Sequence, residues 1–208
     1  MKNLIIVLLS FIPSLVWATD FFGMLGNLNK ELESRGMHYQ DVPSYTLIHN
    51  GRDYVCLDKG CPVSHLGVLE GKWVHQDGQC EIYLHFPSNY YPRTQYVDKP
   101  PFKDMILRMK TDFQWGAVKS GARPMDVDEL RLLLHWLPNK TAKRIFRATR
   151  MATYPYNMHG SSCHGIERVR AVLVGKGDVN ILIYFMFKGN AADNFEKYLQ
   201  DMKGMITF

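Results

Sequence analysis

Long apolar runs are almost missing from this chain beyond its first seventeen residues. The longest of them, Val179 to Phe187, is interrupted by Asn180 and falls far short of the ~20 residues a membrane-spanning helix needs. Past the N-terminus the sequence therefore predicts no transmembrane segment. Cysteine is scarce too: Cys56, Cys61, Cys80 and Cys163 are the only four. Their tightest spacing is C-x4-C rather than the C-x2-C of zinc sites, which disfavours metal binding through thiolates. The eight histidines show no H-E-x-x-H and no other close ligand spacing. No G-x-S-x-G nucleophile elbow is present. Gly175-Lys176-Gly177 lies between two strand-like runs, not ahead of a helix, so it is no phosphate loop. There is no internal repeat and no low-complexity tract. These absences remove the reactions that a motif would name, and no cofactor or metal is expected.

What is present begins with the N-terminus. Met1-Lys2-Asn3 is a short positive start, and Leu4 to Trp17 is apolar apart from Ser10, Pro13 and Ser14. Val16-Trp17-Ala18 then precedes Thr19 with tolerated residues at the −3 and −1 positions. That layout predicts a cleavable secretory signal over residues 1–18, and no cysteine follows to mark a lipoprotein. The expectation is a secreted or periplasmic protein, cut between Ala18 and Thr19.

Residues 19–208 fit a single domain, with Pro87 to Pro101 as the place for a subdivision because it holds four of the ten prolines. The chain is 46% apolar, 22% charged and 12% aromatic, which suits a packed globular core. An even cysteine count in an exported chain favours disulfides. Cys56–Cys61 can close over the four residues between them, which leaves Cys80–Cys163 as a long-range bridge. The formal net charge is +5, and losing Lys2 with the leader leaves +4.

The element pattern predicts an α+β fold: an antiparallel sheet built from hairpins with helices packed on it. Leu25, Leu28 and Leu32 mark a short amphipathic helix that stops at Gly36. Asn50-Gly51 between Tyr45–His49 and Arg52–Cys56 predicts a hairpin turn. A second hairpin is expected around Gln76-Asp77-Gly78, and Phe102 to Phe113 regains helical spacing. Asp126 with Glu129 three residues on predicts a capped helix running to Leu137 and stopped by Pro138. Asn139 opens another, to Met151, with Tyr154-Pro155-Tyr156 behind it. The last forty residues read as a β-β-α-β unit: Ile166–Val174, a tight turn at Gly177, then Val179–Phe187 apolar on both faces as a central strand. A helix capped by Asn190 carries Phe195, Tyr198, Leu199 and Met202 on one stripe, and Met205–Phe208 returns as a strand.

Three constellations bear on function. The helix from Asn139 holds Lys140, Lys143, Arg144, Arg147 and Arg150 and no acid. At 100° per residue the five fall within an arc of about 120°, opposite Ala142, Ile145, Phe146 and Thr149. Such a stripe is commonly a solvated face. Its sharper reading is a surface for an anionic envelope component, either lipid headgroups or an acidic polysaccharide, or for an acidic protein partner. Nucleic acid is not expected for an exported chain without a nucleic-acid motif. Tyr90, Tyr91 and Arg93, in the proline-rich stretch, offer an aromatic platform for sugar or peptide, against the plainer reading that they pack back onto the domain.

The third constellation is catalytic. Cys163 and His164 stand together in Gly160-Ser-Ser-Cys-His-Gly165, and His75 and His85 fall on strands that can meet across a hairpin. Either pair would serve a hydrolase acting on an envelope polymer. Adjacent residues on extended backbone point to opposite faces, however, which argues against Cys163 and His164 serving each other. The reading favoured by the sequence is therefore a non-enzymatic binding or accessory protein of the cell envelope with a basic helix face.

Overall fold

The computed structural model describes residues 27–53, 69–86, 109, 112, 126–156 and 165–208. In chain order these form α1 (Leu28–Glu33), β1 (His38–Tyr39), β2 (Tyr45–Asp53), β3 (Leu69–His75), β4 (Cys80–His85), α2 (Val127–Leu133), β5 (His135–Trp136), α3 (Asn139–Phe146), β6 (Arg150–Tyr156), β7 (Ile166–Lys176), β8 (Val179–Lys188), a 3-10 turn over Gly189–Asn194, α4 (Phe195–Asp201) and β9 (Ile206–Thr207). Met109 and Asp112 are also helical. The fold is α+β, as the sequence predicts.

Seven strands make one open antiparallel sheet in the order β2-β3-β4-β8-β7-β6-β5, and β1 pairs with β9 separately. The meanders β2-β3-β4 and β5-β6-β7-β8 join where β4 pairs with β8, Cys80 opposite Phe187 and His85 opposite Leu182. The strands on either side of residues 87–101 thus belong to one sheet. β8 is the central strand, buried from Ile181 to Phe187. Its alternation feeds two cores. Ile181, Ile183, Phe185 and Phe187 face α1, α3 and α4, while Leu182, Tyr184 and Met186 face Leu130 and Leu134 of α2 together with Met109. A run apolar at every position is what a strand covered on both sides requires.

Local chemistry explains the boundaries that were legible. Gly78 at φ 67° and Gly177 at φ 57° occupy the left-handed region their hairpin turns need. Asp126 caps α2 in a complete capping box, its side chain accepting from the N–H of Asp128 and Glu129 while Glu129 accepts from the N–H of Asp126.

Four expectations are corrected. Asn50-Gly51 is not a turn. β2 runs straight through it and pairs with β3, with register irregularities between Leu47 and His49 and between Asn50 and Asp53. Asn50 Oδ1 instead accepts from the N–H of Leu28 at 3.0 Å, satisfying a free donor at the start of α1. Second, α2 stops at Leu133, four residues early, because His135–Trp136 pairs with β6 and the residue before Pro138 is held off helical geometry. Leu137 N–H donates to Met151 O at 2.9 Å instead. Third, α3 stops at Phe146. Arg147 turns left-handed at φ 53°, and Thr149 N–H donates to Gly175 O, feeding the chain into β6. Tyr154-Pro155-Tyr156 is consequently strand, paired with Ala171, Arg170 and Val169. Fourth, a 3-10 turn precedes α4, so Asn190 caps no α-helix and Phe195 opens it.

Candidate functional site

α3 is an eight-residue helix whose two sides have opposite characters. Ala142, Ile145 and Phe146 are buried in the first core. Lys140, Lys143, Arg144 and Arg147 are exposed on the other side. Spacings of three and then one residue put Lys140, Lys143 and Arg144 within an arc of about 100° of the helix, and Arg147 follows at its C-terminal cap. Two contacts fix the helix in place: Gly204 N–H donates to Ile145 O at 3.1 Å and Phe208 N–H donates to Phe146 O at 2.9 Å, covering carbonyls at its C-terminus. Through them the exposed Lys203 and Lys176 come alongside, Lys176 Nζ reaching Phe208 O at 3.4 Å.

No ion pair involves any of the four cations among the described residues, whereas Arg35 is paired with Glu31, Arg131 with Asp128 and Arg168 with Asp193. The helix dipole accounts for Arg144 and Arg147 at the C-terminal end. It does not account for Lys140, which sits in a first turn that holds no acid and has no side-chain cap. Arg147 is the only non-glycine residue with positive φ among those described. A left-handed conformation costs an L-residue roughly 1–2 kcal/mol and normally selects glycine or asparagine.

Arg150 does not belong to this face. It lies in β6, where Nη2 donates to Gly177 O at 2.7 Å and to Asn180 Oδ1 at 3.0 Å, tying the strand to the β7–β8 turn. Its role is structural. Thr149, expected among the apolar residues, is exposed and donates to Gly175 O. Tyr90, Tyr91, Arg93, Cys56, Cys61, Cys163 and His164 lie outside the described residues, as does nearly all of the 102–113 helix.

The two strand histidines do not meet. His75 ends β3 on the first core's face, and His85 ends β4 on the opposite face at the far end of the hairpin. His75 is 1% exposed, with Nδ1 2.9 Å from Asp77 Oδ1 and Nε2 3.1 Å from Asp201 Oδ2. Tyr45 and Tyr198 pack edge-on to its ring, and Tyr198 OH donates to Asp77 Oδ2 at 3.0 Å. The two carboxylates sit at opposite ring nitrogens and so do not converge on a point. Among the described residues no group of three ligating side chains is placed for a metal ion. The cluster clamps the β3–β4 turn to α4.

Burial pushes the Tyr198 phenol up to about 12, with the Asp77 carboxylate adding to it. For Asp77, burial alone would raise the pKa, but the Gln79 N–H, His75 and the Tyr198 hydroxyl outweigh it and hold the carboxyl at about 2. A carboxyl depressed on folding stabilises above its unfolded pKa, about 4, and loses that contribution as pH falls through the folded value. The stability gap between the native protein and Asp77→Asn is therefore expected to be widest above pH ~4 and to close towards pH ~2. Urea unfolding across that range measures it, and a gap constant with pH would refute the clamp.

Behind the other face, Asp112 is 1% exposed and accepts from Tyr154 OH at 2.6 Å and Tyr184 OH at 3.0 Å. Glu70, also 1% exposed, accepts from Phe86 N–H at 3.1 Å. Sequence reading missed these groups, because their partners lie 16 to 72 residues away and leave no local pattern. Cys80 is buried in the first core, its thiol 3.8 Å from Glu81 O, and burial pushes its pKa well up. A thiol held protonated is a poor nucleophile.

No family model, curated protein or solved structure matches this chain. What the described residues offer chemically is thus an unpaired cationic helix face beside an assembled, hydrogen-bonded interior. Among those residues no helix is long and apolar enough to cross a membrane.

Proposed function

We propose that this is an exported accessory protein of the cell envelope that binds an anionic partner through the outer face of α3, without catalysing a reaction. One observation carries the reading: Lys140, Lys143 and Arg144 on α3 and Arg147 at its C-terminal cap stand exposed and, among the described residues, without ion pairs, beside a helix whose opposite side is core. A solvated face needs no such uniformity. Surface helices usually mix signs at i,i+4 spacing, and this one holds no acid. Arg147 strengthens the case, since the backbone there favours glycine and the sequence supplies a guanidinium. The export signal and the Cys56–Cys61 pairing belong to the same reading, with an oxidising compartment outside the cytoplasm as its setting.

Retention on an immobilised anionic polymer tests it. The protein is expected to bind at low salt and to elute as ionic strength rises, because exposed charges are screened over about 8 Å at physiological salt. Passage through the column at low salt would overturn the reading.

A further inference from the structure

Arg147 closes α3 in a turn that glycine or asparagine normally fills, its N–H donating to Lys143 O at 3.1 Å while its φ stands at 53°. Nothing in the fold repays that choice. The side chain is exposed and makes no hydrogen bond or ion pair among the described residues. Backbone strain of this kind clusters at ligand-binding positions. Two other segments bring cations to the same place. Gly204 N–H donates to Ile145 O and Phe208 N–H to Phe146 O, which sets Lys203 beside the end of α3. Thr149 N–H donates to Gly175 O, and Lys176 Nζ reaches Phe208 O. Lys176 lies two residues past Val174, on the sheet face that α3 covers. Arg144, Arg147, Lys176 and Lys203 thus rim one end of the helix, all of them exposed. Main-chain N–H groups already occupy the carbonyls of Lys143, Ile145 and Phe146, so little of the partial negative charge of that helix end is left to repel an anion.

We infer that this rim seats a phosphate group of a soluble phosphate-bearing chain, with Arg147 as its principal contact. The inference rests on the anion-binding reading above and names its ligand. A phosphate presents its acceptor oxygens in several directions, which donors arriving from three chain segments can share; a carboxylate presents its oxygens in one plane. The guanidinium of Arg147 can give two parallel bonds where an ammonium gives a point charge. Lys140 and Lys143 continue along the helix and suit the next charges of a polymer. A bilayer fits this face less well. Stable peripheral attachment takes two signals, and the exposed large apolar side chains among the described residues lie elsewhere. Leu132 is on α2 and Trp136 pairs with Ala152, both on the side of the second core, while Ile48 is on β2 at the far edge of the sheet.

The experiment titrates the protein, as recovered from expressing cells, with inorganic polyphosphate and with polyglutamate of matched length and charge, at one low ionic strength. Polyphosphate is expected to bind several times more tightly. Arg147→Gly should lower polyphosphate affinity at least about fivefold, with a melting temperature unchanged or higher, because glycine relieves the left-handed turn. Arg147→Lys keeps the charge and loses the paired bonds, so its affinity should fall between the two. Lys176→Gln with Lys203→Gln should weaken polyphosphate binding at an unchanged melting temperature. Equal affinity for the two polymers, native affinity in Arg147→Gly, or tighter binding to phosphatidylglycerol vesicles than to polyphosphate would overturn the phosphate-chain inference and leave the anion reading standing. A fall in melting temperature in Arg147→Gly would give the residue a structural role and overturn the inference as well. Failure to bind either polymer would overturn both.

Discussion

Reversing Lys143, Arg144 and Arg147 to glutamate is expected to abolish anion binding and to leave the fold intact. Each cation near an anionic surface contributes roughly 1 kcal/mol. Removing three costs roughly 3 kcal/mol, a loss on the order of a hundredfold, and the introduced negative charges add repulsion. The core does not register the change, because all three side chains are exposed while Ala142, Ile145 and Phe146 pack inward. Arg144 and Arg147 favour the helix dipole, so their reversal lowers stability by about 1 kcal/mol at most for each. Affinity for polyphosphate and the melting temperature, measured on the same sample, separate the two effects. Unchanged affinity would reduce the stripe to a solvated face. A collapse in melting temperature would mean that the helix buries a different side.

The largest expected loss of stability lies on the other flank of the sheet. Trp73 is fully buried, and its Nε1–H donates to Tyr39 OH at 3.2 Å. Its ring occupies the space that a side chain at Gly71 would take: a Cβ there would lie 2.5 Å from Trp73 Cη2. Trp73→Ala is expected to cost ~3–5 kcal/mol. In a domain of this size each kcal/mol moves the melting temperature by about 2–4 °C, so a fall of about 6–20 °C follows. Gly71→Ala should destabilise by ~1–3 kcal/mol through overpacking. In the Trp73→Ala background the same change should be nearly neutral, since the ring it meets is gone. Additive costs in that double-mutant cycle would contradict the packing described.

Much of the fold was legible because its signals are local. The capping box at Asp126 and Glu129, the glycines at 78 and 177 and the unbroken apolar run of β8 each act through a few neighbouring residues. Misreadings arose where a distant strand outbid the local preference. Asn50-Gly51 has hairpin chemistry, yet β3 pairs across it. Arg150 continues a helical charge pattern, yet β7 captures the backbone after Arg147. The His75–Asp201 contact closes over 126 residues and leaves no trace in either neighbourhood. The basic face was readable from spacing alone, since three of its cations lie within one short helix and a fourth, Arg147, caps it. Leu132 had a quieter signal: it falls outside the stripe of Leu130, Leu133 and Leu134, and an apolar residue off the stripe of a one-sided helix has to face water.

The location of the anion site is open to one direct measurement. Backbone amide resonances of isotopically labelled protein are followed as short polyphosphate is added at low salt and again at high salt. The account predicts shifts concentrated on residues 139–147 and on the neighbouring Lys176 and Lys203, disappearing as salt is raised. Shifts centred instead on the β3–β4 turn and α4, around His75, Asp77 and Asp201, or shifts indifferent to salt, would contradict it.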